Sequence, residues 1–551
     1  MNEEPRIGVF VCHCGTNIGG VVNVPEVTEY AKTLPNVVFA QDNLYTCSEA
    51  GLEEIRKGIK EENLNRVIVA SCTPRTHQPL FRRTCEESGL NPYLFEFVNI
   101  REQCSWVHMQ EKEAATEKAK ELIRMGVAKA SLLEPLERVT IGVEPKALVM
   151  GGGIAGMTAA LSLANAGFEV KLVEKEKELG GMLRNIYKLY PTNQEASNFL
   201  APKIKAVKEH PNIKLYLSSE VKDVKGFIGN YEVTVAGEEE ENFKVGAIIL
   251  AVGGQLLEPK GMYNYDGSKI ITQLQLEGML KENKFEADNV VMIQCVGSRS
   301  VERSYCSRTC CMTAIKNALL IKEMNPKGSV FILYRDLQTY GVEYEDYLRE
   351  AKEKGVKFIR YSPEKPPIVW DGEVRIFHSL LGREMELDYD LLVLSTATVA
   401  QYSVEDISKM LKVPLDKDKF FLEAHVKLRP VEFATAGVFL CGSVHSPKPI
   451  SEAIVQAEAA AAKAAAILSK EFILSEGDIA EIDKEKCMGC QLCLQACYFS
   501  AIAFNEELGV CEVNRVVCKG CGKCAVICPS GACQICGFTD RQILSQVGTY
   551  L

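Results

Sequence analysis

No stretch of this 551-residue chain is long and apolar enough to cross a bilayer. Runs such as Ala247 to Val252 are short, and the alanine-rich stretch from Ala457 to Leu468 is broken by Lys463. The opening Met-Asn-Glu-Glu-Pro-Arg has no basic segment ahead of an apolar one, so no secretion signal is expected. Positive charge is in deficit, 63 Lys and Arg against 73 Asp and Glu, and this excludes the clustered-cation footprint of a nucleic-acid binder. The seven histidines are scattered and form no zinc-like array with cysteine. Low complexity is absent too, and 47% apolar content can fill several cores. These absences predict a cytoplasmic protein, held at a membrane only through a partner subunit. Cysteine, by contrast, is abundant: in a reducing compartment 22 of them point to metal binding rather than disulfides, in an anaerobic setting.

Two copies of one spacing close the chain, Cys487-x2-Cys490-x2-Cys493-x3-Cys497 and Cys518-x2-Cys521-x2-Cys524-x3-Cys528. Pro529 follows the second copy and Tyr498 the first. This is the ligand run of a two-cluster bacterial-type ferredoxin module, in which each run gives three thiolates to one 4Fe-4S cubane and its fourth to the other. The first cluster is expected on Cys487, Cys490, Cys493 and Cys528, the second on Cys518, Cys521, Cys524 and Cys497. Cys511, Cys533 and Cys536 receive no role.

Residues 1–144 alternate short apolar runs with polar helical stretches, the pattern of a small parallel α/β unit. Cysteine follows each run: Cys12 and Cys14 after Ile7 to Val11, Cys47 after Val37 to Ala40, Cys72 after Val67 to Ala70, and Cys104 after Leu94 to Ile100. In a parallel sheet these positions share the carboxyl edge, where open α/β folds hold ligands. A cluster on Cys12, Cys14, Cys47 and Cys72 is expected, with Cys104 as substitute. The competing reading is free cysteines packed as small hydrophobes, and Cys85, inside a helical stretch, is assigned to it.

From Lys146 the pattern becomes strand, glycine turn and small-residue helix. Gly151, Gly153 and Gly156, with Ile154 and Ala155 between, form G-x-G-x-x-G; Glu174 ends the next strand, with Lys175 beside it. Glycines allow backbone to approach a pyrophosphate on the helix amino terminus, and the acid holds ribose hydroxyls. The run Leu179-Gly180-Gly181-Met182 resembles the extended FAD fingerprint of the thioredoxin reductase and glutathione reductase group. The strand ending at Gly253, and the segment with Gly442 and Ser443 ahead of an alanine-rich helix, resemble that group's later FAD segments. The resemblance implies an FAD domain split into 145–280 and 400–475 around an insert, 281–399.

In that group the insert binds NAD(P)H through a second glycine fingerprint. Here the strand Asn289 to Ile293 runs into Gln294, Cys295, Val296 and Gly297 without one. Cys306, Cys310 and Cys311 follow, and with Cys295 they make four thiolates. A metal site in place of the nicotinamide site is the expectation. A redox-active disulfide and an inert vicinal pair are the alternatives, and the usual two-residue spacing of a dithiol is missing.

The segments Cys12-x-Cys14-Gly, Ala70-Ser-Cys72-Thr-Pro-Arg75, Asn99-Ile-Arg-Glu-Gln-Cys104, Cys295-Val-Gly-Ser-Arg299 and Tyr305-Cys-Ser-Arg-Thr-Cys-Cys311 together resemble the A subunit of heterodisulfide reductase, over nearly the whole chain. The resemblance implies FAD, about four 4Fe-4S clusters, and a place in a hetero-oligomer with other heterodisulfide reductase-type subunits, a donor dehydrogenase or hydrogenase, and ferredoxin. It also implies that Lys316 approaches the flavin, and that some members divide electron pairs between two acceptors. Two departures stand out. Residues 182–245 hold no cysteine, whereas many members carry an extra ferredoxin insertion in this part of the chain. The segment with His445 and Lys448 differs from the family's usual loop near the flavin.

The expected fold class is α/β: a thioredoxin reductase-like FAD-binding two-dinucleotide-domain core, an N-terminal parallel α/β domain, and a two-cluster ferredoxin domain over 476–551. The expected function is an electron-transfer oxidoreductase subunit. Membership of a quinone-interacting membrane complex of sulfate reducers, an NAD(P)H-dependent flavin reductase and a non-catalytic cluster scaffold are the rival readings.

Overall fold

The computed structural model describes residues 4–549. One compact unit joins residues 4–140 to 474–549, and the second comprises 141–473.

In the first unit β1 (Ile7–Cys12), β2 (Val37–Asn43), β3 (Arg66–Ser71) and β4 (Phe95–Asn99) form a parallel sheet in the order β2-β1-β3-β4. The run Ile-Gly-Val-Phe-Val-Cys of β1 is buried throughout, as a central parallel strand covered on both faces must be. Helix α1 (Lys112–Ala130) packs on β4 and β3, burying Ala115, Ala119, Ile123 and Val127. The carboxy-terminal segment belongs to this unit through specific contacts. Tyr93 Oη accepts from Gly477 N at 2.6 Å, Arg82 pairs with Asp478 at 2.9 Å, and Gln542 Nε2 donates to Leu132 O at 2.9 Å.

The second unit contains two halves with one plan. The first half holds β5 (Lys146–Met150), β6 (Glu169–Val173), β7 (Ile213–Tyr216), an antiparallel three-stranded meander over 220–245, and β8 (Ala247–Leu250). The second begins with β9 (Ile270–Thr272), then runs through β10 (Asn289–Val296), β11 (Ser329–Tyr334), β12 (Lys357–Arg360), a meander over 368–388, and β13 (Leu391–Thr396). The chain then returns to the first sheet with β14 (Val438–Leu440), giving the parallel order β14-β8-β5-β6-β7; the second sheet has the matching order β9-β13-β10-β11-β12. β5 and β10 therefore occupy the same central position. Helix α2 (Ile154–Asn165) follows β5, α3 (Gln273–Lys281) follows β9, α4 (Cys310–Met324) follows β10, and α5 (Ile450–Leu468) packs on α2. The N-cap of α3 is a capping box between Thr272 and Gln275, which fixes where this helix starts.

The tail consists of two short hairpin-like pairings, β15 (Ala480–Ile482) with β18 (Cys533–Ile535) and β16 (Ile502–Asn505) with β17 (Val510–Val513). They enclose a small core to which Cys493, Cys511, Cys524 and Cys533 belong.

Candidate functional site

A cleft of about 630 Å³ opens at the carboxyl ends of the first half's strands. Gly151, Gly153, Ile154, Ala155, Glu174 and Lys175 line it from one side, with Gly180, Gly181 and Met182 beyond them. Gly253, Gly442, Ser443 and Lys448 line it as well. Gly156 does not reach the cleft. A Cβ there would lie 1.8 Å from Gly151 O, so this glycine lets α2 lie against the β5 turn. Gly153, the N-cap of α2, has no side-chain cap, and a Cβ added to it would meet nothing within 4 Å. Open space in front of unpartnered first-turn N–H groups is what a pyrophosphate requires. Glu174 is 7% exposed, and it accepts from Gly152 N at 2.5 Å and Glu176 N at 2.9 Å. The residues fit a bound FAD.

The second half contributes to the same cleft. Cys310, Thr313 and Lys316 of α4 line it, with Gln273 and Glu277 of α3. Lys316 and Glu277 are 1% and 0% exposed and form a direct ion pair. Lys316 Nζ also donates to Lys188 O at 2.9 Å, and Glu277 accepts from Tyr187 N at 2.9 Å. Burial lowers the Lys316 pKa, and the Glu277 carboxylate opposes that shift. Lys448 donates to Gly442 O at 2.7 Å, and burial brings its pKa down to about 8.

The four cysteines of the second half meet at the end of β10. Cys295 adopts a left-handed φ of 64°, where the strand's register against β13 shifts. Burial pushes its thiol up to about 11, with Cys311 and Cys306 adding to the shift. The Cys310 thiol is raised by its hydrogen bond to Cys311 and by burial, with Cys295 and Cys306 contributing. Arg299 hydrogen-bonds Cys295 and pairs with Asp336 at 2.7 Å, while its Nη1 is buried with no partner. Four cysteines gathered at one strand end, with the Cys295 and Cys310 thiols raised and a guanidinium nitrogen of Arg299 buried without a partner, fit a thiolate-bound cluster, because metal binding removes thiol protons and gives the cation a negative centre to face.

At the carboxyl edge of the first unit's sheet, Cys12, Cys14, Cys47 and Cys72 are neighbours. Burial raises Cys47, with Cys12 and Cys14 adding to it; burial likewise raises Cys72, against the lowering effect of Arg101. Arg101 Nη1 lies 3.7 Å from Cys14 Sγ, and its guanidinium covers the Trp106 ring at 4.6 Å. Cys104 stands apart: its thiol donates to Ala115 O at 3.0 Å in the core. Cys85 and Cys441 are fully buried packing residues, both pushed up to about 12 by burial. In the tail, Cys490 and Cys521 are exposed while Cys493 and Cys524 are buried. Among the described residues no three His, Cys, Asp or Glu side chains close on a point that one ion would fill. Thiolates of a cubane sit on separate irons, farther apart than the roughly 2.3 Å Zn–S bonds of a single-ion site bring them.

Residues 145–293 match the family model for pyridine nucleotide-disulphide oxidoreductases, and residues 480–503 match a 4Fe-4S binding domain. A Methanopyrus kandleri protein, described as the second iron-sulfur A subunit of CoB–CoM heterodisulfide reductase, is 41% identical over 92% of this chain and 92% of its own. The chain belongs to the A-subunit family of heterodisulfide reductase. A Methanothermobacter marburgensis member, described as the A subunit of an H2:CoB-CoM heterodisulfide,ferredoxin reductase, is 40% identical over 92% of this chain and 91% of its own. An Archaeoglobus profundus protein, described as like the heterodisulfide reductase A subunit, is 35% identical over 99% and 98%. T. acidophilum thioredoxin reductase overlies 59% of this chain and 100% of its own with a TM-score of 0.42 and 17% identity. As a member of the heterodisulfide reductase A-subunit family, this chain is an FAD and 4Fe-4S oxidoreductase subunit that transfers electrons, built on a pyridine nucleotide-disulphide oxidoreductase-type α/β core with a ferredoxin domain. The Methanopyrus alignment spans 607 positions but 92% of 551 residues, about 507, so about a hundred positions of that family member have no counterpart here. Among the described residues no helix is long and apolar enough to cross a membrane.

Several residues of the site carry no signal of their own in the sequence. Glu277 stands as one acid on a short helix, and Arg101 and Arg299 enter the sequence only as members of the segments around Cys104 and Cys295, with no role of their own. Only the proximity of Arg299 to Cys295 along the chain hinted at its place.

Proposed function

We propose that this chain is the cytoplasmic electron-relay component of a heterodisulfide reductase-type complex, with its flavin and one cluster sharing the cleft of the second unit. The observation that carries this reading is that the glycine cradle of the first half and Cys310 of the four-cysteine centre line one cavity. When bound, FAD supplies the junction between a two-electron and a one-electron couple, and the clusters supply the one-electron steps. Gly151, Gly153 and Gly442 offer backbone to the cofactor, and Glu174 braces the turn that presents the first two. Cys295, Cys306, Cys310 and Cys311 hold the neighbouring cluster. Lys316 and Glu277 line the cleft as a buried, net-neutral ion pair and place a fixed dipole, without net charge, beside the bound cofactor.

A second cluster on Cys12, Cys14, Cys47 and Cys72, and two more in the tail with the ligand sets given by the spacing, complete the relay. The absence of cysteine from 182–245 and the hundred unmatched positions support a relay without the inserted ferredoxin domain, and so with one exit route fewer. Other heterodisulfide reductase-type subunits, a donor dehydrogenase or hydrogenase, and ferredoxin are the partners. The names of the relatives, which include ferredoxin- and F420H2-dependent reductases, support this. Anaerobic purification from the source, with metal, sulfide and flavin analysis and identification of companion subunits, tests the proposal. About sixteen irons per FAD are expected from four cubanes. About eight would discard both upstream clusters, and stoichiometric bleaching of the flavin by NADH would favour a nicotinamide-dependent reductase.

A further inference from the structure

Three of the four cysteines at the end of β10 stand on elements of the second half, while the loop that brings the fourth, Cys306, is fastened to the first half. Cys295 belongs to β10, and Cys310 and Cys311 open α4, with Cys311 Sγ 3.8 Å from Asp336 O. Residues 304–308 lean the other way. Lys417 donates to Ser304 Oγ at 2.8 Å, and the Tyr305 ring meets Phe420 edge-on at 5.4 Å. The segment they touch is built into the first half's core through Val404, Phe421 and Phe433, which pack with Leu148 and Met150 of β5.

Arg308, two residues after Cys306 and two before Cys310, reaches farthest. Its Nη1 and Nη2 donate to Glu452 Oε2 at 2.7 Å and Oε1 at 2.5 Å, a two-pronged pair on the first turn of α5. Nη1 also donates to Pro447 O at 3.5 Å, in the segment whose Gly442, Ser443 and Lys448 line the cleft. Nη2 donates to Tyr340 Oη at 2.8 Å, and Tyr340 Oη donates to Glu452 Oε1 at 3.1 Å. At its other end, Arg308 N donates to Cys306 Sγ at 3.3 Å. The backbone there has a φ of 61°, a left-handed conformation that an arginine keeps only where surrounding contacts hold it. The Arg308 and Glu452 side chains are 33% and 40% exposed, so the pair adds little to stability; what the fork supplies is orientation.

Resting on the cluster reading of these four cysteines, we propose that Arg308 is a positioning residue for electron exchange. Its clamp on Glu452 seats the Cys306 loop on the flavin-binding half and so sets the separation of cluster and flavin. Arg308 does not line the cleft, so it acts through the loop that it anchors. Each electron lost by one centre is gained by the other, across a gap whose width this clamp fixes.

The full-length protein, purified anaerobically with its flavin and clusters, is compared with Arg308→Met and Glu452→Gln. Flavin, iron and sulfide are measured first and are expected to be retained. Two readouts follow: the magnetic interaction between the flavin radical and the reduced cluster, which reports their separation, and the rate at which an electron placed on the flavin by flash reduction appears on the cluster. Both variants should weaken the interaction and slow the transfer several-fold, although one removes a positive charge and the other a negative one. Arg308→Lys, which keeps the charge without the fork, should recover part of the loss. Rates that move in opposite directions in the two variants would overturn the proposal by making the effect one of charge, and an unchanged interaction and rate in both would leave the clamp as a surface pair. Should Arg308→Met lose iron, Glu452→Gln, which alters no residue of the cysteine loop, decides by the same readouts. Iron missing from these four cysteines in the unaltered protein would reject the cluster reading itself.

Discussion

The two halves of residues 141–473 share one sheet plan and differ at the end of one strand. β5 and β10 are the central strands of matching parallel sheets, each followed by two further strands, a meander and a return strand. After β5 the backbone turns through Gly151 to Gly153 and opens onto the uncapped first turn of α2. At the end of β10 it bends at Cys295 and presents sulfur, with three more cysteines delivered by the loop and first turn of α4. The edge of an open α/β sheet is a generic ligand shelf, and the residue type at the turn decides what it holds. Backbone freedom cradles phosphate, whereas thiols hold iron. Cys310 of the second shelf lines the same cleft as the glycine turn, and on the proposed reading a change of ligand class there replaces a two-electron nucleotide partner with a one-electron metal partner without altering the fold.

The comparison can be broken most severely at the sulfur shelf. Cys306→Ser should lower iron by about four per FAD while the flavin remains bound, as metal and flavin analysis of the anaerobic protein will show. Next in size is Lys316→Met, which leaves Glu277 charged and wholly buried. Breaking such a pair costs about 3–5 kcal/mol, to be read as a lower midpoint in chemical denaturation, and replacing both partners with apolar residues should recover much of the loss.

Gly156→Ala tests the phosphate shelf. Its Cβ would press on Gly151 O, and overpacking of this kind costs about 1–3 kcal/mol. FAD content should fall while the iron of the second half persists, so the two shelves fail separately. The smallest effect is a pH dependence. Lys448 is cationic below its pKa of about 8 and neutral above it, because burial penalises the charge. Attraction for an anionic cofactor is present at low pH and fades as pH rises through that value. The dissociation constant for FAD should rise between about pH 7 and about pH 9, and Lys448→Gln should flatten the profile.

Much of this arrangement is written locally. The β5 fingerprint, the cysteines at the ends of β1 and β3, and the paired cysteine runs are short-range patterns whose spacing encodes their geometry. What escaped the sequence is held by contacts between distant segments. The tail shares a unit with the N-terminal sheet through Tyr93 with Gly477 and Arg82 with Asp478, single polar pairs that leave no periodic trace. Glu277 lies on a helix of mixed composition, and only the packing of α3 against α4 shows that its carboxylate is buried against Lys316. Cys104 follows a strand run as its neighbours do, yet the turn after β4 directs its thiol into the core toward Ala115. Position along the chain placed it at the right edge, and side-chain direction removed it from the group.

Iron anomalous scattering from crystals of the anaerobically purified protein tests the central claim most directly. A peak enclosed by the Sγ atoms of Cys295, Cys306, Cys310 and Cys311, beside FAD in the adjoining cleft, is the predicted result. Density for a nicotinamide nucleotide at the end of β10, with no iron among those four sulfurs, would contradict it.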